Sequence, residues 1–494
     1  MAADFSSAAE GRLAWHTVAS RAHGFLLRKW VIAAGLTWSI LFVVVGLAYE
    51  LHLFADGALF SYSVAVRDVW AFHWHNISGR LSVYLIAEAP GELYVALSGD
   101  PRGGVAVYGF LFFSAQLMGL VATWASDRST GRVIFTFACA STACFCPLVF
   151  GFPTEMWVAH ALFWPTLSVC HYARGKAAGS VLVFAMLLAL IFTHQAALIL
   201  AIIIVSTTLL RGTRNPAYRR AAAGLAGAFS LWAIITWALP PDAYDLPMMR
   251  RAALHFFDPT ILTSYLLVLL MSALSAYGVI FLALLRLDRV RAAMGAALLT
   301  AAALGAYWTW FDGSLHGDDR YPMRTVLFIG TAAFGVVAAV HALSAEERLK
   351  PPILARLLTS VGGDATALVL AGALVVVTLV HTVETARFVR VWTAYLAAVQ
   401  SLAAGAASDA ALGDAHFVSS SRIGDDANRL SWSSTTQFLS VLVAPSLAPK
   451  RLVVNPNATY FWLSCNTATA NQLADRAVPV ESRRLVRVHA CLHR

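Results

Sequence analysis

Long apolar stretches, repeated along almost all 494 residues, constrain this chain more than any other feature. The first runs from Trp30 to Phe54 (WVIAAGLTWSILFVVVGLAYELHLF) and is long enough to cross a hydrocarbon layer of ~30 Å. A backbone in lipid must satisfy its own hydrogen bonds, so such runs become helices. Charged residues make up only 13% of the chain and mean hydropathy is +0.67. A soluble domain is roughly one quarter charged. The sequence therefore predicts a polytopic α-helical membrane protein of about eleven spans: 30–53, 104–125, 133–150, 155–170, 179–193, 195–210, 221–239, 261–285, 292–310, 325–344 and 365–384. No separate signal peptide is visible, because the stretch before Trp30 is too polar for one.

Lys and Arg favour alternate connections. Arg28 and Lys29, Arg128 and Arg132, Arg174 and Lys176, and Arg211 and Arg214 all fall on the side of the N-terminus. The positive-inside rule then puts that end in the cytoplasm, in what reads as a bacterial inner membrane. The net charge of +9 is mostly this bias, so no nucleic-acid partner is expected. Three parts follow: a cytoplasmic tail (1–29), a membrane bundle (30–385) and a periplasmic C-terminal domain (386–494). The segment 386–402 has helical periodicity and would link the last span to that domain. The runs QFLSVLVA, RLVVN, TYFWLS and LVRVHA look strand-like, which predicts a small α/β or β-rich fold. Cys465 and Cys491 lie in that oxidising tail, where their pairing stays open. Cys139, Cys144, Cys146 and Cys170 read as apolar packing groups within spans.

The connection 54–103 is long and rich in Leu59, Phe60, Val64, Trp70, Phe72 and Trp74, which suits helices lying in the membrane interface. A second segment, 81–97, is broken at Pro90-Gly91. Soluble-enzyme signatures (phosphate loop, CxxC, HExxH) and internal repeats are absent from the sequence. Polar candidates gather on the predicted outer side. Asp56 either caps the helix beginning near Ala58 or serves as a general base toward an acceptor hydroxyl. Arg320 and Arg324 either snorkel or clamp a lipid phosphate, and Arg80 has the same two readings. Glu155 and His194 stand at the ends of short helices as satisfied bundle groups or as site residues. Asp56, Asp319 and His316 offer ligands to a divalent cation, Mg or Mn, while no zinc set is formed.

The run Asp56-Gly-Ala-Leu-Phe-Ser-Tyr-Ser-Val-Ala-Val-Arg-Asp resembles the start of the first outer loop of GT-C glycosyltransferases, with lipid A aminoarabinose transferases and protein mannosyltransferases as the nearest parallels. Asp319-Arg320-Tyr321-Pro322 is similar to an Arg-Tyr element in a late outer loop of that group. Thr193-His194-Gln195 is similar to its His-bearing middle turn. The resemblance implies inverting transfer of a sugar from a polyprenyl-phosphate donor to a glycan, lipid or protein acceptor among membrane lipids. Asp56 would be the base, Arg320, Arg324 and Arg80 would hold the donor phosphate, and Glu155, His194, Asp319 and Tyr321 would be further site residues. The group carries an Asp-Glu pair where this chain has Asp56-Gly57. Glu50 or Asp68 is left to supply the second carboxylate, and metal dependence stays open. The competing readings are a transporter or flippase, which favours repeated halves and broken helices, and a polysaccharide polymerase or ligase.

Overall fold

The computed structural model describes residues 27–67, 80–240, 250, 254, 258–312, 320–346, 364–405, 411–412, 415–432, 435–447 and 449–454. It is a helical membrane protein. Eleven helices coincide with the predicted spans: α1 (Leu27–Ala48), α4 (Pro101–Ser126), α5 (Val133–Val149), α6 (Glu155–Tyr172), α7 (Ala177–Ile191), α8 (Ala197–Leu209), α9 (Pro216–Ala238), α10 (Tyr265–Ala283), α11 (Arg289–Ala306), α12 (Met323–Ala345) and α13 (Asp364–Ala404). Among the described residues seven of them are long and apolar enough to cross a membrane, counting α11 with the turn after it, whereas α5, α7 and α8 are shorter apolar helices.

Packing depends on the small residues the sequence supplies. A Cβ at Gly119 of α4 would lie 2.4 Å from the Ala161 carbonyl oxygen of α6, so those two backbones meet directly. Aromatic side chains fill the centre, with Trp157 against Phe42 at a ring separation of 4.8 Å and Phe42 against Phe150 at 4.8 Å. The Cys139, Cys146 and Cys170 thiols are buried in this core and, with Cys144, are free. Cys465 and Cys491 lie outside the described residues.

Two expectations about the first long connection change. Helix α2 (Asp56–Val66) does not lie in the interface, because Gly57 through Ala65 are all buried within the protein. Trp70, Phe72 and Trp74 lie outside the described residues. The second segment is helical through Pro90-Gly91. A single π turn, Tyr84–Glu88, precedes α3 (Ala89–Ser98), which carries the proline in its first turn. A wider turn ahead of a proline accommodates a ring that cannot donate a backbone hydrogen bond. It leaves Leu85, Leu93 and Leu97 exposed and turns Glu88 inward, only 2% exposed.

The last predicted span and the linking helix 386–402 are one element, so residue 385 is no boundary in the backbone. At 41 residues α13 is about 60 Å long, twice the hydrocarbon thickness. Its far half delivers Phe388 and Trp392 to Phe54, and the Trp392 indole donates to the Tyr49 carbonyl at 2.8 Å. Beyond it the described residues form a three-stranded sheet, β1 (Ala411–Leu412), β2 (Ala415–Ser419) and β3 (Leu452–Val454), with β1 antiparallel and β3 parallel to the central β2. RLVVN supplies β3 as predicted. QFLSVLVA instead forms helix α14 (Thr436–Val443), which packs on α2 through Phe438 and Tyr62, rings 5.1 Å apart. TYFWLS and LVRVHA lie outside the described residues.

Candidate functional site

One end of the bundle collects the N-terminal ends of α2, α6 and α12 and the turn between α7 and α8. Glu155 is the first residue of α6, behind Thr154, whose Oγ1 accepts the Met156 amide at 3.4 Å. A carboxylate in a first turn also benefits from the positive end of the helix dipole. The Arg80 Nη1 donates to Glu155 Oε1 at 2.9 Å, and Glu155 is almost fully buried. Arg80 is carried there because the next turn is pinned across the bundle, the Ser82 amide donating to the Phe192 carbonyl at 2.9 Å.

Asp56 is the first residue of α2 and is partly buried. It caps nothing: no hydrogen bond reaches its carboxylate from the described residues. Burial first, and then the negative charge of Glu155, push its carboxyl up from 3.8 to about 6, against the opposing pull of Arg324 and Arg80. The backbone that aims it is strained, since Ala55 sits at φ 50°, ψ −126°, a region that non-glycine residues avoid. Gly57 explains the missing acidic neighbour. A Cβ there would lie 2.2 Å from the His52 carbonyl oxygen and 2.5 Å from Pro153 Cγ, so no side chain fits. Glu50 is exposed at the end of α1 and Asp68 lies outside the described residues. The second carboxylate acting on Asp56 is Glu155.

His194 accepts the Ala196 amide at Nδ1, 3.1 Å away, which leaves Nε2 as the proton-bearing nitrogen of a neutral ring. Its pKa falls to about 4, chiefly by burial, with Arg80 and Arg324 adding to the drop and Glu155 opposing it. Arg324 lies on the Tyr321 ring at 3.6 Å and beside Phe152 at 5.6 Å, with Nε bonded to the Tyr321 carbonyl. It forms no ion pair among the described residues. Trp432, from the C-terminal segment, closes this aromatic shelf at 5.2 Å from Tyr321 and 5.3 Å from Phe152.

Arg320 has a different task from the one its spacing suggested. It is 3% exposed, bonds the Pro147 and Phe150 carbonyls at 3.0 and 2.5 Å and lies 3.9 Å over the Phe388 ring. Proline at 147 cannot extend the helix ladder, and Arg320 satisfies the carbonyls released at the end of α5. Asp319 and His316 lie outside the described residues. Among the described residues no three His, Cys, Asp or Glu side chains are gathered to hold a metal ion.

Two groups here, His52 and Tyr108, had no distinguishing signal in the sequence, and they join Arg80 and Glu88 of the first outer connection. Glu88 is held well above the usual carboxyl range, first by burial and then by the charges of Glu92 and Glu155, with Arg80 opposing. Its Oε2, the Tyr108 hydroxyl, the His52 Nδ1 and the Arg80 Nε are buried without hydrogen-bond partners among the described residues. The His52 and Tyr108 rings are 6.4 Å apart. Unmet groups of this kind cost about 1–3 kcal/mol each, a density suited to a polar guest. His160 is the contrasting case, satisfied by Gln116 at 2.8 Å and Ser141 at 3.0 Å. Compared with known proteins, the chain matches no family model, no curated protein and no solved structure.

Proposed function

We propose that this protein is a membrane glycosyltransferase that moves a sugar from a polyprenyl-phosphate donor to an acceptor hydroxyl at the outer face of a bacterial inner membrane. The observation that carries the reading is the Asp56 carboxylate. It has no hydrogen-bond partner among the described residues, sits in the field of Arg80, Arg324 and Glu155, and has its pKa raised to about 6. Such a group is ionised at neutral pH yet more basic than an ordinary aspartate, which suits a general base. Asp56 takes the acceptor proton as the hydroxyl oxygen bonds to the anomeric carbon. The anomeric carbon–oxygen bond to phosphate breaks with inversion, and polyprenyl phosphate leaves with the electron pair. Arg324, on its aromatic shelf and without an ion pair among the described residues, receives the growing phosphate charge. Arg80, whose Nη1 is given to Glu155, keeps a buried Nε without a partner among the described residues. Arg320 drops out of the donor grip because its guanidinium closes α5.

The test is Asp56→Asn in cells lacking the native chain, with insertion of the variant verified and lipid-linked sugars analysed by mass spectrometry. Accumulation of an unconsumed polyprenyl-phosphate sugar, matching the deletion strain, is expected. Wild-type glycan products from the variant would overturn the assignment. An altered transmembrane solute gradient with transfer intact would favour a transporter.

A further inference from the structure

A cavity of about 400 Å³ opens at the other end of the bundle, lined by Arg128, His171, Tyr172, Arg174, Arg211 and Glu346. These residues follow or end α4, α6, α8 and α12. The opposite ends of α6, α8 and α12 carry or adjoin Glu155, His194 and Arg324. Helix α6 alone, with 18 residues, separates the two ends by about 27 Å. The cavity is therefore distinct from the Asp56 site.

Its floor is ordered by short contacts. Glu346 accepts the Tyr172 hydroxyl at 2.6 Å and faces Arg211 Nη2 at 3.7 Å. Arg211 also bonds His171 Nδ1 at 3.3 Å and lies over the Tyr172 ring, while His171 Nε2 meets Thr207 at 2.9 Å. Among the described residues that line the cavity the one carboxylate, Glu346, is thus already answered by Arg211 and Tyr172. The rim is different. Arg128 and Arg174 are exposed, and neither guanidinium makes an ion pair or hydrogen bond among the described residues. Both stand on fixed turns. Asp127 collects the Ser129 and Phe135 amides at 2.8 and 2.9 Å, and Arg220 bonds the Gly175 carbonyl at 3.0 Å.

Two guanidinium groups without a partner among the described residues, on hydrogen-bonded turns above a neutralised floor, form an anion-selective mouth. We propose that this cavity binds a phosphate-bearing anion, with Arg128 and Arg174 gripping the phosphate oxygens and Arg211 holding the pocket wall in place. Guanidinium forks suit phosphate because they donate in pairs. The phosphate belongs either to the headgroup of an anionic phospholipid, since the cavity lies at the ends of the long apolar helices α4 and α12, or to a soluble phosphate compound.

The experiment uses the purified full-length protein in detergent, with native mass spectrometry and thermal unfolding as readouts. The probes are phosphatidylglycerol, phosphatidylcholine and inorganic phosphate. Retention of phosphatidylglycerol over phosphatidylcholine is expected, weakened about twenty-five-fold in Arg128→Gln/Arg174→Gln at roughly fivefold per arginine. Insensitivity of that binding to inorganic phosphate assigns the site to lipid. Stabilisation by inorganic phosphate, lost in the same variant, assigns it to a soluble anion. A charge-retaining Arg128→Lys/Arg174→Lys variant keeps most of the preference if charge is the cause. Equal binding of both lipids with no phosphate effect, or full selectivity in the Gln variant, overturns the proposal.

Discussion

Replacing Asp56 with Asn stabilises the fold at neutral pH. In the native state the Asp56 carboxyl is raised from 3.8 to about 6. At about 1.36 kcal/mol per tenfold change in proton affinity, this is a cost of roughly 3 kcal/mol for holding the ionised form. Asp56 keeps some solvent contact, and screening reduces the figure to about 1–2 kcal/mol. The sign follows from proton binding. Between pH 3.8 and about 6 the folded chain holds a proton that the unfolded chain has lost, so wild-type stability falls as pH rises through this window. Above it both states are ionised and the full cost persists. Below pH 3.8 both are protonated and the cost vanishes. Asn never ionises. Thermal unfolding in detergent, followed at pH 8, 6 and 4, should show Asp56→Asn more stable by a few degrees at pH 8. The gain should shrink at pH 6 and be lost near pH 4. A variant less stable at pH 8, or a gain independent of pH, would refute the idea that position 56 carries an uncompensated charge.

Three further substitutions probe the same end of the bundle. Gly57→Ala places a methyl 2.2 Å from the His52 carbonyl oxygen; it should cost about 1–3 kcal/mol or more, and an unchanged melting temperature would contradict the packing. Arg80→Ala strands the buried Glu155 carboxylate and should cost about 3 kcal/mol. Arg80→Ala/Glu155→Gln should recover much of that loss, and strictly additive effects in the double-mutant cycle would show that the two groups do not interact. Arg320→Ala releases the Pro147 and Phe150 carbonyls and the Phe388 contact, with an expected loss of about 2–4 kcal/mol. A fully stable Arg320→Ala chain that fails only in donor binding would return this arginine to the phosphate grip.

Apolar runs of spanning length determined the helical segments by themselves, because in lipid a backbone has almost no alternative. Asp56, Glu155 and His194 were legible as polar groups at helix ends, where a charge is costly without a partner. Pairwise relations were not legible. Arg320 and Arg324 have the same residue type and a helical spacing, yet Pro147 and Phe150 claim the first and leave the second on a ring shelf. Nothing local to Gly57 shows that His52 and Pro153 close over it, so the source of the second carboxylate was unreadable until α6 was packed beside α2. Only the π turn ahead of Pro90 rotates Glu88 inward. QFLSVLVA read as a strand because a short apolar run fits either period, and its docking on α2 decides for a helix. Local chemistry set which segments enter the membrane. Burial and the approach of charges distant in sequence, both properties of the packed chain, decided which of its polar groups are paired, neutral or left to act.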